Sequence, residues 1–106
     1  MYIRTKNRIY KVESETCHKK GYYIDRYEED VILKDQVIKQ SENIEELCDT
    51  FVVMDKETKE VMNIVSFLAY AKLWASCKYN IYGSIWTDKG LIYVAKLDDK
   101  WDLELI

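Results

Sequence analysis

The 106-residue sequence has no proline, three glycines, three cysteines and one histidine. With no proline, Ser/Gly-rich stretch, internal repeat or low-complexity tract, nothing marks a linker, and the chain reads as one domain over residues 1–106. Gly21, Gly83 and Gly90 stand far apart. A loop that cradles phosphate needs several glycines together so that backbone amides approach the anion, which argues against nucleotide-dependent catalysis. Cys17, Cys48 and Cys77 are odd in number and widely spaced. They lack the pairs of a disulfide scaffold or a zinc knuckle and fit a reducing cytoplasm. No run approaches the roughly 18 consecutive apolar residues of a membrane span. The first eight residues hold no apolar stretch of the kind a signal peptide needs, so no membrane partner is expected. A basic excess is missing too: sixteen Lys and Arg face nineteen Asp and Glu, for a net charge of −3. Only three of the sixteen are Arg, the side chain whose planar fork suits phosphate and guanine, so nucleic acid is a disfavoured partner.

What the sequence does have is apolar and aromatic residues, 48% and 13% of the chain, enough to build a core. Residues 2–5 and 8–12 alternate as a hairpin around a polar turn at Lys6 and Asn7. Residues 13–20 read as loop, 22–27 as an aromatic-rich third strand, and 31–40 as a strand followed by a short extended piece. Asn43 and Glu46 have the spacing of a capping box, with Ile44 and Leu47 on one face, which predicts a short helix over 44–49. The apolar run from Phe51 to Met54, bounded by Asp49 and Asp55, predicts a strand buried on both faces. Residues 61–65 either pair back or begin a helix. Ser66 then stands as the N-cap of a main helix over 67–78, in which Phe67, Tyr70, Ala71, Trp74 and Cys77 recur at the spacing of an inward stripe. Residues 81–87 and 91–97 form a hairpin about Asp88, Lys89 and Gly90, and 101–106 alternate as a further antiparallel strand.

The expected fold is therefore α+β: a mostly antiparallel, twisted sheet of six or seven strands, curled towards a small barrel, with one main helix and one short helix. Its expected core is Ile9, Ile24, Leu47, Phe51, Val53, Phe67, Tyr70, Trp74, Ile85, Ile92, Val94 and Leu103.

Chemistry finds little footing. Cys17 and His18 are adjacent in a polar loop with no Asn or Asp identifiable as an orienting third group, so no catalytic dyad is assigned. Cys17, His18, Cys48 and Cys77 show none of the short spacings of zinc ligands. The paired carboxylates at Glu28 and Glu29, Glu45 and Glu46, and Asp98 and Asp99 fall in turns or helix starts, where solvated acids belong. Not an enzyme, with no cofactor and no metal, is the expectation. The surplus is in rings. If Tyr22 points inward then Tyr23 points outward, and Trp86 faces opposite to Ile85. Tyr23, Tyr82, Trp86 and Trp101 are thus the candidate interaction surface, because Tyr and Trp bury much area at low rotamer entropy. The same strand aromatics offer the alternative of base stacking by a nucleic-acid-binding regulator.

Six stretches stand out, MYIRTK (1–6), IKQS (38–41), IEELCD (44–49), FVVMD (51–55), YGSIWTDKGLIYVAK (82–96) and LELI (103–106), together 40 of the 106 residues. In order and spacing they resemble small proteins encoded in phages and prophages of low-GC Gram-positive bacteria. The resemblance implies a bacterial cytoplasm and a mobile-element gene; small size, the missing catalytic constellation and the surplus of rings add the expectation of a non-enzymatic phage or prophage accessory protein that binds a host or phage protein. It brings no activity, substrate or site residue with it.

Overall fold

The computed structural model describes all residues except Glu29, Ser76 and Cys77. The chain groups into two compact units, Met1–Leu47 and Cys48–Ile106. Strands take 47% of the described residues and helical turns 12%.

In the first unit, β1 (Tyr2–Arg4) pairs antiparallel with β2 (Ile9–Lys11), Ile3 opposite Tyr10, and on its other side with β6 (Lys39–Ser41). A second small sheet runs β3 (Ser14–Glu15), β4 (Gly21–Tyr23), β5 (Val31–Leu33). Part of the segment expected as loop before Gly21 is thus a strand, and the third strand is shorter than 22–27. The expected short helix is a 3-10 turn, Ile44–Leu47. Asn43 does cap it: its Oδ1 accepts from the Glu45 amide at 3.1 Å. Glu46 does not complete the capping box; its carboxylate instead accepts a hydrogen bond from the Ser41 hydroxyl. Ile3, Ile9, Tyr22, Ile44 and Leu47 are the buried apolar side chains of this unit.

The second unit is a five-stranded antiparallel sheet in the order β11-β10-β9-β7-β8, made of β7 (Thr50–Asp55), β8 (Val61–Val65), β9 (Tyr79–Thr87), β10 (Gly90–Leu97) and β11 (Leu103–Leu105). The segment 61–65 pairs back on β7, Val65 opposite Phe51. The β9–β10 hairpin forms as the sequence indicates. Gly90 takes φ +99, a value that L side chains adopt only with strain, and the Thr87 hydroxyl accepts from the Lys89 amide while donating to the Gly90 carbonyl. One face of the sheet carries the core: Phe51, Val53 and Ile81, closed over by Leu68 and Ala71.

Two expectations about the fold are corrected. Among the described residues the chain is mostly β with three sheets, and they hold no main helix in the 67–78 segment. The only α-helical turn among the described residues is α1, Leu68–Lys72. Its N-cap is Phe67 and not Ser66, and no side chain caps it. Beyond it the Leu73, Trp74 and Ala75 amides donate three residues back, to Tyr70, Ala71 and Lys72. The winding has a period near three, which eclipses side chains at i and i+3. Leu68 and Ala71 therefore turn to the sheet, while Phe67 and Tyr70, expected in the core, are exposed; Trp74, also expected in the core, follows Ala71 by three residues, is 37% exposed and packs edge-on against Tyr79. Cys77, the last member of the expected stripe, lies outside the described residues. Of the remaining expected core, Ile9, Leu47, Phe51, Val53, Ile85 and Val94 are buried, and Ile24, Ile92 and Leu103 partly so.

Candidate interaction surface

α1 and the turn after it present an outward ridge. Phe67 is 63% exposed, Tyr70 58%, Leu73 83% and Trp74 37%. Phe67 and Tyr70 hold one another edge-on with centroids 5.7 Å apart, and Trp74 meets Tyr79 in the same way at 5.8 Å. The rings are thus braced by mutual contacts, an arrangement that lowers the entropy lost when a surface is covered. The inward side explains the exposure: Ala71 and Ala75 are small, so the segment lies close on the sheet, and the large side chains have only the outer face to occupy.

Beside the ridge runs a groove of about 890 Å³. Its apolar floor and walls include Ala75, Tyr79, Ile81, Leu97, Leu105 and Ile106. Lys56 and Lys59, from the β7–β8 turn, and Asp98 and Asp99, from the β10–β11 turn, also line it. Each turn is tied by a carboxylate. Asp55 Oδ1 accepts from the Glu57 amide at 2.8 Å and the Thr58 amide at 3.0 Å. Asp98 Oδ1 accepts from the Lys100 amide at 2.8 Å and the Asp102 amide at 2.9 Å. Those amides favour the charged form. The Thr58 amide and then that of Glu57 hold Asp55 below its ordinary value, and the Asp102 amide, then that of Lys100, do so for Asp98 against the opposing effect of burial.

The four residues expected at the surface fare differently. Trp101 lines the groove, 50% exposed, on a backbone with φ +69. A bulky residue rarely adopts that left-handed conformation, and here the Asp98 clasp imposes it. Trp86 is 56% exposed on β9, opposite the buried Ile85, its amide held by Asp49 Oδ2 at 2.8 Å. Tyr82 is half-buried and stacks on Tyr93 at 4.9 Å, 17° from parallel. Tyr23 is half-buried in the first unit, next to the buried Tyr22. Within the second unit, neither Tyr82 nor Trp86 lines the groove that Trp101 lines. The residues that sequence reasoning misplaced are Phe67, Tyr70 and Trp74, and Leu73 was not singled out. The signal for them was present as a second stripe, Leu68, Ala71 and Ala75, with the small side chains that close approach to a sheet demands.

Cys17 and His18 occupy the exposed tip of the β3–β4 hairpin, in a turn closed by the Lys19 amide on the Thr16 carbonyl at 2.9 Å. Cys48 is half-buried against the core of the second unit. Among the described residues, no three His, Cys, Asp or Glu side chains converge as metal ligands, and no helix is long and apolar enough to cross a membrane. Compared with known protein families, curated proteins and solved structures, the chain matches none.

Proposed function

We propose that this chain is a non-enzymatic protein-interaction module whose docking element is the outward ridge of α1. One observation carries the reading: Phe67, Tyr70, Leu73 and Trp74, four large side chains within eight consecutive residues, are exposed, with Phe67 and Tyr70 in edge-on contact. Scattered surface hydrophobics need no explanation, but so many large exposed side chains in one short segment have the composition of an interface centre. The resemblance to phage and prophage proteins supports a host or phage protein, in a bacterial cytoplasm, as the class of partner.

Base stacking by the strand aromatics is the weaker reading. Tyr82 and Tyr93 already cover one face of each other, and a net charge of −3 opposes a phosphate backbone.

A photoreactive amino acid in place of Leu73, irradiated in host cells that produce the chain, tests the reading. A discrete protein adduct is expected, absent when the same group replaces Lys89 on the exposed β9–β10 turn. No adduct at Leu73 overturns it, and single-strand oligonucleotide binding that weakens steeply as salt rises then favours the nucleic-acid regulator.

A further inference from the structure

We propose that the protein docked on α1 is a second copy of this chain, related by a two-fold axis so that the ridge of each copy lies in the groove of the other. The inference rests on the reading of α1 as a docking element and names its partner.

Continuity comes first. The Trp74 ring meets Tyr79, and Tyr79 with Ala75 walls the groove, so ridge and groove are two halves of one surface. In a two-fold interface, residue i touches j and j touches i. A surface that carries a projecting half and a receiving half side by side satisfies this in a single contact, made twice. A groove of about 890 Å³ falls in the size range, about 300–1,000 Å³, of sites that enclose drug-sized ligands, which suits a few large side chains.

Charge makes the same selection. Lys56 and Lys59, of the β7–β8 turn, and Lys96 line the groove with Asp98 and Asp99, of the β10–β11 turn, and Glu104, three charges of each sign. The two-fold pairing brings the lysines of the β7–β8 turn of one copy to the carboxylates of the β10–β11 turn of the other. A uniformly charged partner, such as a polyanion or a strongly basic peptide, meets the wrong sign on half of the rim.

Area is also sufficient. Phe67, Tyr70, Leu73, Trp74, Trp101 and Ile106 are all exposed by more than a third. At about 150–250 Å² for each large aromatic side chain, these six present on the order of 600 Å² of apolar surface. With the charged rim they approach the roughly 800 Å² per partner of a standard stable interface.

Sedimentation velocity over a micromolar to sub-millimolar range tests the proposal. The mass is expected to rise from 12.7 kDa towards twice that value. Leu73→Asp on the ridge and Ile106→Asp in the groove each shift the midpoint at least tenfold upward, with circular dichroism unchanged because both side chains are exposed. The charge argument has its own arm: a Lys56→Glu/Lys59→Glu chain and an Asp99→Lys chain each dimerise poorly alone and recover affinity when mixed. A protein that stays monomeric throughout, or a dimer indifferent to both Leu73→Asp and Ile106→Asp, overturns self-pairing. Neither result touches the docking role of α1, which falls only if the photoreactive group at Leu73 captures no protein.

Discussion

At Gly83 the central strand β9 passes the thiol of Cys48 so closely that a methyl group there would stand 2.7 Å from Sγ and 3.3 Å from the Ala95 Cβ. The strand cannot retreat, because β7 and β10 pair with it on both sides. Gly83→Ala is therefore expected to destabilise the protein by about 1–3 kcal/mol, the usual cost of overpacking. Cys48→Ala in the same chain removes the obstructing sulfur, so the double variant should cost less than the two single changes added together, as equilibrium urea unfolding will read. The glycine at Gly90 and the lysine at Lys19 make the complementary case. Both take positive φ at the end of a hairpin turn, yet only Gly90 carries the residue suited to it. The left-handed conformation costs an L residue about 1–2 kcal/mol, and glycine returns about 0.5–1 kcal/mol of that in chain entropy. Lys19→Gly should accordingly raise stability by roughly 0.5 kcal/mol, visible as a higher urea midpoint with an unchanged slope.

At the scale of elements, hairpins were legible in the sequence and the helix was not. Alternation with a period of two survives only in part: Ile85 is buried and Trp86 exposed, but Gly83, Ser84 and Ile85 are buried in succession in β9, and in β10 the register shifts between Tyr93 and Ala95, where Val94 and Ala95 are both buried. The 67–78 segment misled because its aromatic spacing suits a 3.6-residue period, whereas the chain there winds with i+3 bonds after a single α-turn. A period near three separates 67, 70 and 73 from 68 and 71, so the larger side chains lose the inner face to Leu68 and Ala71. The capping box at Asn43 half-survived for a related reason: a four-residue 3-10 turn uses the Asn cap, while Ser41 lies nearer to Glu46 than the cap backbone does. The inversion of α1 is testable. Leu68→Ala should cost about 2–5 kcal/mol through the cavity it leaves. Phe67→Ser should change the stability of the dilute monomer by no more than about 0.5 kcal/mol. A helix packed as the aromatic stripe implies would reverse that order in urea titrations of the two variants.

For the molecule as a whole, the two turns that frame the groove are also where acid should act first. The sequence marks Asp55 and Asp98 only as turn acids, with nothing to tell them from Asp88 or Asp102, because what distinguishes them is amides brought round by the folded turn. Both are held below the ordinary value of 3.8 in the folded protein. The unfolded chain then binds more protons than the native one as pH falls through that region, so stability from these two carboxylates is full above about pH 4 and is lost as pH drops through their depressed values. Asn in place of either Asp keeps an oxygen that can accept from the same amides but removes the charge. Asp55→Asn and Asp98→Asn should thus lower stability at neutral pH and flatten the slope of unfolding free energy between about pH 5 and pH 2. Because both turns sit at one end of the same sheet and carry the lysines and carboxylates of the groove rim, self-association should weaken over that interval in the wild type. An acid slope left unchanged by both substitutions would place the titrating groups elsewhere and detach the turns from the acid response.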